Sequence, residues 1–301
     1  MPINAVDPVG FANVNPFGIL DDIARDAPIR KAPKKKEKDL KEIYKVRDYL
    51  GVHSVAGDFG IEVEVEGSNL YNTRGGDAYW LTKKDGSLRD GVEYVLHVPL
   101  SLDKTKEAII SLVKSLENSK LIFSFRTSIH VHVNVLEMSR DNLLSFLYLS
   151  HLLEDSLVKY SGESREGNRF CLRMKDAEWK IEALKMFFKT EGVRQFPSND
   201  MKYSAINLAS LHLFGSIEFR SMRGTLDTEV LFPWLDVLYR IRDFAIHNSV
   251  KEIDEAIRIT PAGVAKEVFG EHFELFNYPE LEKDIKEAHC RLIELPYIKG
   301  G

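Results

Sequence analysis

The sequence is poor in the residues that build several common kinds of site. Its two cysteines, Cys171 and Cys290, are too few for a disulfide framework or a thiolate metal site, and they favour a reducing compartment. No apolar run approaches the roughly 18 residues that a membrane span needs. The N-terminus lacks the basic-then-apolar pattern of a signal peptide. We therefore expect a cytoplasmic protein without a membrane partner.

The sequence motifs of the most common nucleotide and acyl-transfer sites are also missing. Without a GxxxxGK[ST] loop or a GxGxxG turn, neither a P-loop nor a Rossmann nucleotide site is indicated. Without GxSxG, a nucleophile elbow is not indicated either. A formal net charge of −5 argues against nucleic acid as a partner. The composition, with 44% hydrophobic and 29% charged residues among 301, is that of an ordinary globular protein.

Residues 1–38 differ from the rest of the chain. "MPINAVDPVGFANVNPFGIL" carries proline, glycine and asparagine without a sustained period, and the basic cluster "IRKAPKKKEKD" follows. We predict an irregular N-terminal arm whose lysines either form a solvated linker or contact a partner, either an acidic protein or a phosphate backbone. Residues 39–301 are predicted to form a single domain with a helical C-terminal part.

Within residues 39–301, strand patterns precede and alternate with long helical patterns. The predicted strands cover 58–66, 79–83, 92–98, one or two segments of 121–136, and a pair at 203–210 and 215–222. The predicted helices cover 39–50, 102–119, 139–160 after an N-cap at Ser139, 176–192 ending at Gly192, 228–248, 261–270 and 280–294. Several strands alternate polar and apolar residues, as strands with one open face do. We therefore predict an α+β fold with a mostly antiparallel sheet, helices on one face and a polar cleft on the other.

The stretch "DFGIEVEVEG", residues 58–67, has the sharpest alternation. Glu62, Glu64 and Glu66 share one face of the predicted strand, about 7 Å apart, and aliphatic residues occupy the other. Such a row of like charges either faces plain solvent or lies against something cationic.

Three further strand segments place chemically active groups on a single face. "SIHVHVNV" alternates its polar residues with valines, "GSIEFRSM" places a carboxylate and a guanidinium two apart, and "GVEYVL" carries one glutamate. The residues concerned are His130, His132, Asn134, Glu218, Arg220 and Glu93. Each segment alone also fits an exposed sheet face, a surface ion pair or a hairpin. Together, carboxylates and imidazoles on an open sheet suit two or three Mg²⁺ or Mn²⁺ ions, or ions with bound phosphates.

The order of six short motifs resembles the amidoligase family, which is related to γ-glutamylcysteine ligase and more distantly to glutamine synthetase. These motifs are "FGIEVEVE", "DGSLRDGVEYVL", "HVHVNV", "NRFC", "KYSAINL" and "GSIEFRSMRGTLD", and the resemblance covers roughly residues 55–240. It implies a glutamine-synthetase-like catalytic fold, a curved, mostly antiparallel sheet with helices on its convex face. It also implies ATP- and Mg²⁺-dependent joining of a carboxylate to an amine through an acyl phosphate. Either substrate could be a small molecule or a side chain of a peptide or protein.

The resemblance implies a role for each matching residue. Glu62 and Glu64 match a Glu-x-Glu pair that holds different ions, and Glu93 matches a later acidic ligand. One of His130 and His132 faces the nucleotide phosphates. Glu218 completes a metal site, and Arg220 steadies the transferring phosphoryl group, so that Arg220 and Glu62 are the implied catalytic residues. Four polar residues are implied in nucleotide or substrate binding: Asn134, Arg169, Asn207 and Arg223. Glu66 is expected at the strand end, solvated and outside the cluster.

Two other functions fit the same residues. A metal-dependent phosphohydrolase or nuclease would use the same acidic and histidine face, and its product would be a hydrolysed phosphoester rather than ADP and an amide. A non-catalytic member of the fold would act as a scaffold through residues 1–38.

Overall fold

The computed structural model of the protein describes residues 44–73, 77–177, 179–189, 201 and 203–295. The N-terminal arm, its predicted boundary at residue 38 and the helix end at Gly192 lie outside these residues. No helix in the described ranges is both long enough and apolar enough to cross a bilayer.

The described residues contain a seven-stranded sheet in which every strand pairing is antiparallel. Its strands are β1 Phe59–Ser68, β2 Trp80–Lys83, β3 Gly91–Leu96, β4 Lys120–Ile122, β5 Ser128–Asn134, β6 Ile206–Asn207 and β7 Ser216–Arg223. The strand order is β2-β3-β1-β5-β7-β6, and β4 pairs with the end of β1. Together with the helices, this sheet confirms the predicted α+β class.

Helices connect and follow the strands. They are α1 Val46–Leu50, α2 Leu102–Ser115, α3 Arg140–Leu152, α4 Glu154–Tyr160, α5 Trp179–Lys189, α6 Ser210–Phe214, α7 Thr228–His247, α8 Val250–Ile259, α9 Pro261–Phe269, α10 Phe273–Phe276 and α11 Leu281–Leu292. The predicted N-cap is confirmed, because the Ser139 side chain accepts a hydrogen bond from the Asn142 amide. The single helix predicted over 139–160 is divided at Leu153, and α8 was not predicted.

The apolar face of the sheet packs into the hydrophobic core with the helices. Ile61, Val63 and Val65 of β1 are at most 1% exposed. At the β2 edge of the sheet, the Trp80 indole donates a 2.9 Å hydrogen bond to the Ala108 carbonyl of α2. Burying each aliphatic side chain contributes roughly 1.5–3 kcal/mol, which fixes which face of β1 is turned inward. The glutamates of β1 are thereby directed to the opposite face.

A β-bulge interrupts the pairing of β5 with β7. Ile129 pairs with Met222 and Val131 with Phe219, so β7 has one residue more than β5 between these pairs. The bulge lets Phe219 and Met222, both buried, share the core face although they are three residues apart. Arg220, inside the bulge, turns its side chain to the polar face.

Candidate active site

The strand register brings the acidic and histidine residues of four strands onto one polar face. Glu62 of β1 pairs with His130 of β5, and Glu64 of β1 pairs with Glu93 of β3. His132 pairs with Glu218 of β7, which pairs in turn with Asn207 of β6. The alternation predicted from the sequence therefore produces one contiguous surface.

Glu62, His132 and Glu218 form the first set of potential cation ligands, called group 1. Each offers a ligand atom within 4.8 Å of the other two. His132 Nδ1 lies 3.0 Å from Ser216 Oγ, and its Nε2 lies 3.5 Å from Glu62 Oε1. Asn207 Nδ2 donates to Glu218 Oε2 at 2.6 Å. These contacts orient the imidazole and the carboxylate, as outer partners of metal ligands do.

Glu64, Asp85 and Glu93 form a second set, called group 2, whose ligand oxygens also lie within 4.8 Å of one another. Burial, with repulsion from Glu62, Glu64 and Asp85, raises the pKa of Glu93 to about 8, although Lys83 opposes the shift. Three such close carboxylates repel one another unless a proton or a cation lies among them. An all-oxygen set of this kind suits Mg²⁺ or Mn²⁺.

Ser128 and His130 connect the two groups. The amide and hydroxyl of Ser128 donate to Glu64 Oε2 at 2.8 and 2.5 Å. Ser128 Oγ lies 2.9 Å from His130 Nε2, and His130 Nδ1 lies 3.1 Å from Glu62 Oε2. The geometry therefore favours His132 as the ligand of group 1 and His130 as the link between the groups.

Arg220 supplies positive charge beside group 1. Its guanidinium is ion-paired with Glu218 and lies 3.5 Å from His130 Nδ1. Burial alone would raise the pKa of Glu218, but Arg220, His132 and His130 outweigh it and hold the pKa below its usual value. Burial opposes the shift at Glu62 too, where hydrogen bonds to His130 and His132 hold the pKa well below its usual value. These shifts favour the ionised form of both carboxylates of group 1.

The polar face borders a cavity of about 300 Å³. Its lining includes carboxylate residues of both groups together with Arg126, Arg165 and Arg220. The rings of Phe170 and Tyr203, 6.2 Å apart at their centroids, contribute an aromatic surface. Such a cavity can hold cations against its carboxylates and a polyanion between those cations and the arginines.

The structure does not bring three of the predicted binding residues to this cavity. The Asn134 amide donates to the carbonyls of Val55 and Gly57, both at 2.8 Å. Arg223 donates to backbone carbonyls at the end of α4, and Arg169 is exposed over the Phe170 ring. Their roles in nucleotide or substrate binding stay predictions. Asn207 reaches the site only through Glu218.

The expectation that Glu66 is solvated is wrong. Glu66 is 5% exposed, and its Oε1 accepts a 2.7 Å hydrogen bond from the Arg89 amide. The carboxylate is buried because it satisfies the backbone of the turn that leads into β3. It does lie outside both ligand groups.

Sequence reasoning missed four residues of the site: Asp85, Arg126, Ser128 and Arg165. Asp85 precedes a turn, and its carboxylate accepts a 2.6 Å hydrogen bond from the Ser87 amide. Its position in "DGSLRDG", six residues before the start of the strand that carries Glu93, was the available signal. Arg165 lies in the aperiodic "SGESREG", where no pattern marks it.

The chain belongs to the amidoligase family, as the match of a family model shows. A family model described as "Putative amidoligase enzyme" matches residues 75–241, more than half of the chain. The matched region runs from before β2 into α7, and so includes Asp85, Glu93, both site histidines, Glu218 and Arg220. β1 precedes it, yet β1 pairs directly with β3 and β5 inside it. A search of curated proteins gave no match.

Proposed function

We propose that the protein is an ATP- and Mg²⁺-dependent carboxylate–amine ligase that forms an amide through an acyl phosphate. One observation carries the proposal. Two groups of cation ligands lie on one sheet face, joined by Ser128 and His130, and Arg220 adjoins one of them. Membership of the amidoligase family supports an amide-forming reaction.

The donor sets fit divalent cations. Group 2 is all carboxylate and carries unfavourable like charge, and group 1 combines two ionised carboxylates with one imidazole. Bound Mg²⁺ or Mn²⁺ ions would supply charge neutralisation to the phosphates of ATP. Glu62, His132 and Glu218 would hold one ion, and Glu64, Asp85 and Glu93 another. Asn207 keeps one oxygen of Glu218 fixed, which orients that ligand.

The arginines would act on the anionic parts of the substrates. Arg220, fixed beside Glu218, points its guanidinium at the cavity, where charge on a transferring phosphoryl group would be stabilised. Arg126 forms no ion pair within the described part of the chain, although it lines a cavity rich in carboxylates. It is therefore available to a carboxylate or phosphate of a ligand.

The remaining expectations stay proposals. Helices on the apolar side of an antiparallel sheet, with the site on the other side, support a glutamine-synthetase-like fold with a curved sheet. The carboxylate donor and the amine acceptor could each be a small molecule or a side chain of a peptide. A cytoplasmic location and partner contacts through residues 1–38 stay predictions.

The test incubates the full chain with ATP, Mg²⁺ and pools of carboxylates and amines, including amino acids and dipeptides. We expect ADP release that depends on both substrates, and transfer of ¹⁸O from a labelled carboxylate to inorganic phosphate. Glu218→Gln should abolish both signals, whereas Glu107→Gln, an exposed substitution on α2, should preserve them. Phosphoester hydrolysis without an amide would support the phosphohydrolase instead. Absence of any nucleotide or Mg²⁺ binding would support a scaffold.

A further inference from the structure

The bulge in β7 leaves two consecutive backbone carbonyls facing one side chain. In a regular strand the carbonyls of neighbouring residues point to opposite edges, so a single neighbour does not bond both. Here Arg165 Nη2 donates to the Arg220 carbonyl at 2.7 Å, and Arg165 Nε donates to the Ser221 carbonyl at 2.9 Å. The two-pronged guanidinium fits this pair of acceptors, and Arg165 is only 2% exposed.

Arg165 bonds the carbonyls of β7 that lie beyond the end of the neighbouring strand β6. β6 pairs with β7 only at Phe219 and Glu218, and the Arg220 amide then donates to the Ala205 carbonyl at 2.9 Å. Beyond that bond, the carbonyls of the bulge are satisfied by the Arg165 side chain rather than by a strand. The shape of the bulge therefore depends on one residue from a separate loop.

The contact is reciprocal. Arg223 of β7 donates to the carbonyls of Tyr160 and Ser161 at 3.2 and 3.1 Å, at the start of the loop that carries Arg165. Gly162 has a φ of +103° between these contacts, and a Cβ there would lie 3.3 Å from the Arg223 side chain. Two arginines, one from each segment, thus fasten the loop to the bulge.

We propose that Arg165 is a positioning residue, which holds the bulge carbonyls and so fixes the Arg220 guanidinium beside Glu218. Arg220 is the residue whose own carbonyl Arg165 holds, and its side chain leaves the bulge toward group 1. Nε and Nη2 of Arg165 are both bonded to carbonyls of the bulge. Its main effect on the site therefore passes through Arg220. The catalytic consequence rests on the proposed ligase function, but the structural consequence does not.

The first test needs no activity. In the full chain with ¹⁵N-labelled arginine, hydrogen exchange of the Arg220 Nε–H is measured by NMR, in wild type and in Arg165→Lys. Lysine keeps the charge but cannot bond both carbonyls. We expect exchange at Arg220 to accelerate at least tenfold. The matched control is Arg173→Lys, a buried arginine of the same segment that pairs with Asp155 and Asp176 instead. Unchanged exchange at Arg220 in folded Arg165→Lys would overturn the proposal.

The second test is a double-mutant cycle on ADP formation. Arg165→Lys should lower kcat about tenfold and change KM for ATP less than twofold. In an Arg220→Lys background the same substitution should change kcat less than twofold, because the residue it positions is already altered. An undiminished tenfold loss in that background would show that Arg165 acts directly and would refute positioning.

Failure of the two proposals can be told apart. If the wild type forms no ADP with any substrate, the ligase proposal fails, while the exchange measurement still decides the role of Arg165. If Arg165→Lys does not fold, Arg165→Gln, which keeps one amide donor, is measured at reduced temperature by the same exchange experiment. The criterion, exchange at Arg220 at least tenfold faster than in wild type with Arg173→Lys as the control, stays the same.

Discussion

Replacing Glu93 by glutamine is expected to stabilise the metal-free protein and to weaken its response to Mg²⁺. The ligand oxygens of group 2 lie within 4.8 Å of one another. Two ionised carboxylates at that separation repel by about 3.5 kcal/mol at an effective dielectric constant of about 20. Glutamine has nearly the same shape as a protonated glutamate, so Glu93→Gln removes the repulsion without opening a cavity.

The raised pKa of Glu93 reflects this repulsion together with burial. It rises from its usual 4.5 to about 8, first through burial and then through its acidic neighbours. The unfolded chain is ionised at pH 7 whereas the folded protein retains the proton, so stability decreases as pH rises from 4.5 to 8. At pH 7 the penalty is about 3 kcal/mol, at 1.36 kcal/mol per unit. Because the cavity admits solvent, we expect Glu93→Gln to gain about 1–3 kcal/mol at pH 7 and nothing at pH 4.5.

Magnesium should reverse the order of stability, so that the wild type becomes more stable than Glu93→Gln. An ion at 100 times its dissociation constant stabilises the folded protein by about 2.7 kcal/mol, which for a chain of this size raises Tm by roughly 4 °C. Glu93→Gln should keep only the part of this gain that group 1 provides. Thermal unfolding with EDTA and with Mg²⁺ measures both effects, and Glu107→Gln, an exposed helix substitution, is the control. Destabilisation of the metal-free protein with an unchanged Mg²⁺ response would refute the reasoning and make Glu93 a structural residue.

Four further predictions concern other parts of the molecule. Arg220→Lys should lower ADP-forming turnover at least tenfold, which corresponds to about 1.4 kcal/mol of barrier. Nucleotide affinity measured by calorimetry should change much less, because the contact of Arg220 strengthens in the transition state. Asn207→Ala should weaken Mg²⁺ binding about tenfold in calorimetry, because Glu218 loses the donor that orients it. Burial lowers the pKa of His151 to about 4, so stability should fall by about 3 kcal/mol as pH drops from 6.5 to 4 in urea titrations; His151→Asn should remove that slope. Deleting residues 1–38 should leave Tm and nucleotide binding nearly unchanged, and a large loss of Tm would show that they pack on the domain.

The sequence predicted the elements with strong local periodicity. β1 was expected at 58–66 and spans Phe59–Ser68, and the predicted helix after Ser139 begins at Arg140. Alternation fixes a strand face because burying the aliphatic side excludes the other orientation. The segment 121–136 proved to be two strands, because residues 123–127, with the exposed rings of Phe123 and Phe125, leave the sheet.

The parts that the sequence did not predict depend on contacts between distant residues. Arg165 matters because of carbonyls 55 and 56 residues away, and no local pattern records such a contact. The bulge at Arg220 is a mismatch in register between two strands, which neither strand shows alone. α8 is a different case, because Ser249 and Glu252 form a capping box that was readable. It was missed because it lies directly between α7 and α9, with two residues before it and one after it.

The pairing of β1 explains why the three glutamates on one of its faces have three different roles. Glu62 lies opposite His130 of β5 and belongs to group 1, whereas Glu64 lies opposite Glu93 of β3 and belongs to group 2. Glu66 lies opposite Gly91 and accepts from the backbone of the preceding turn instead. Alternation specifies only that the three share a face. The identity of each neighbour specifies the role, and that identity comes from the strand order and register. A register shift of two residues would keep this face polar but would separate both ligand groups, so the hydrophobic packing that sets the register also assembles the site.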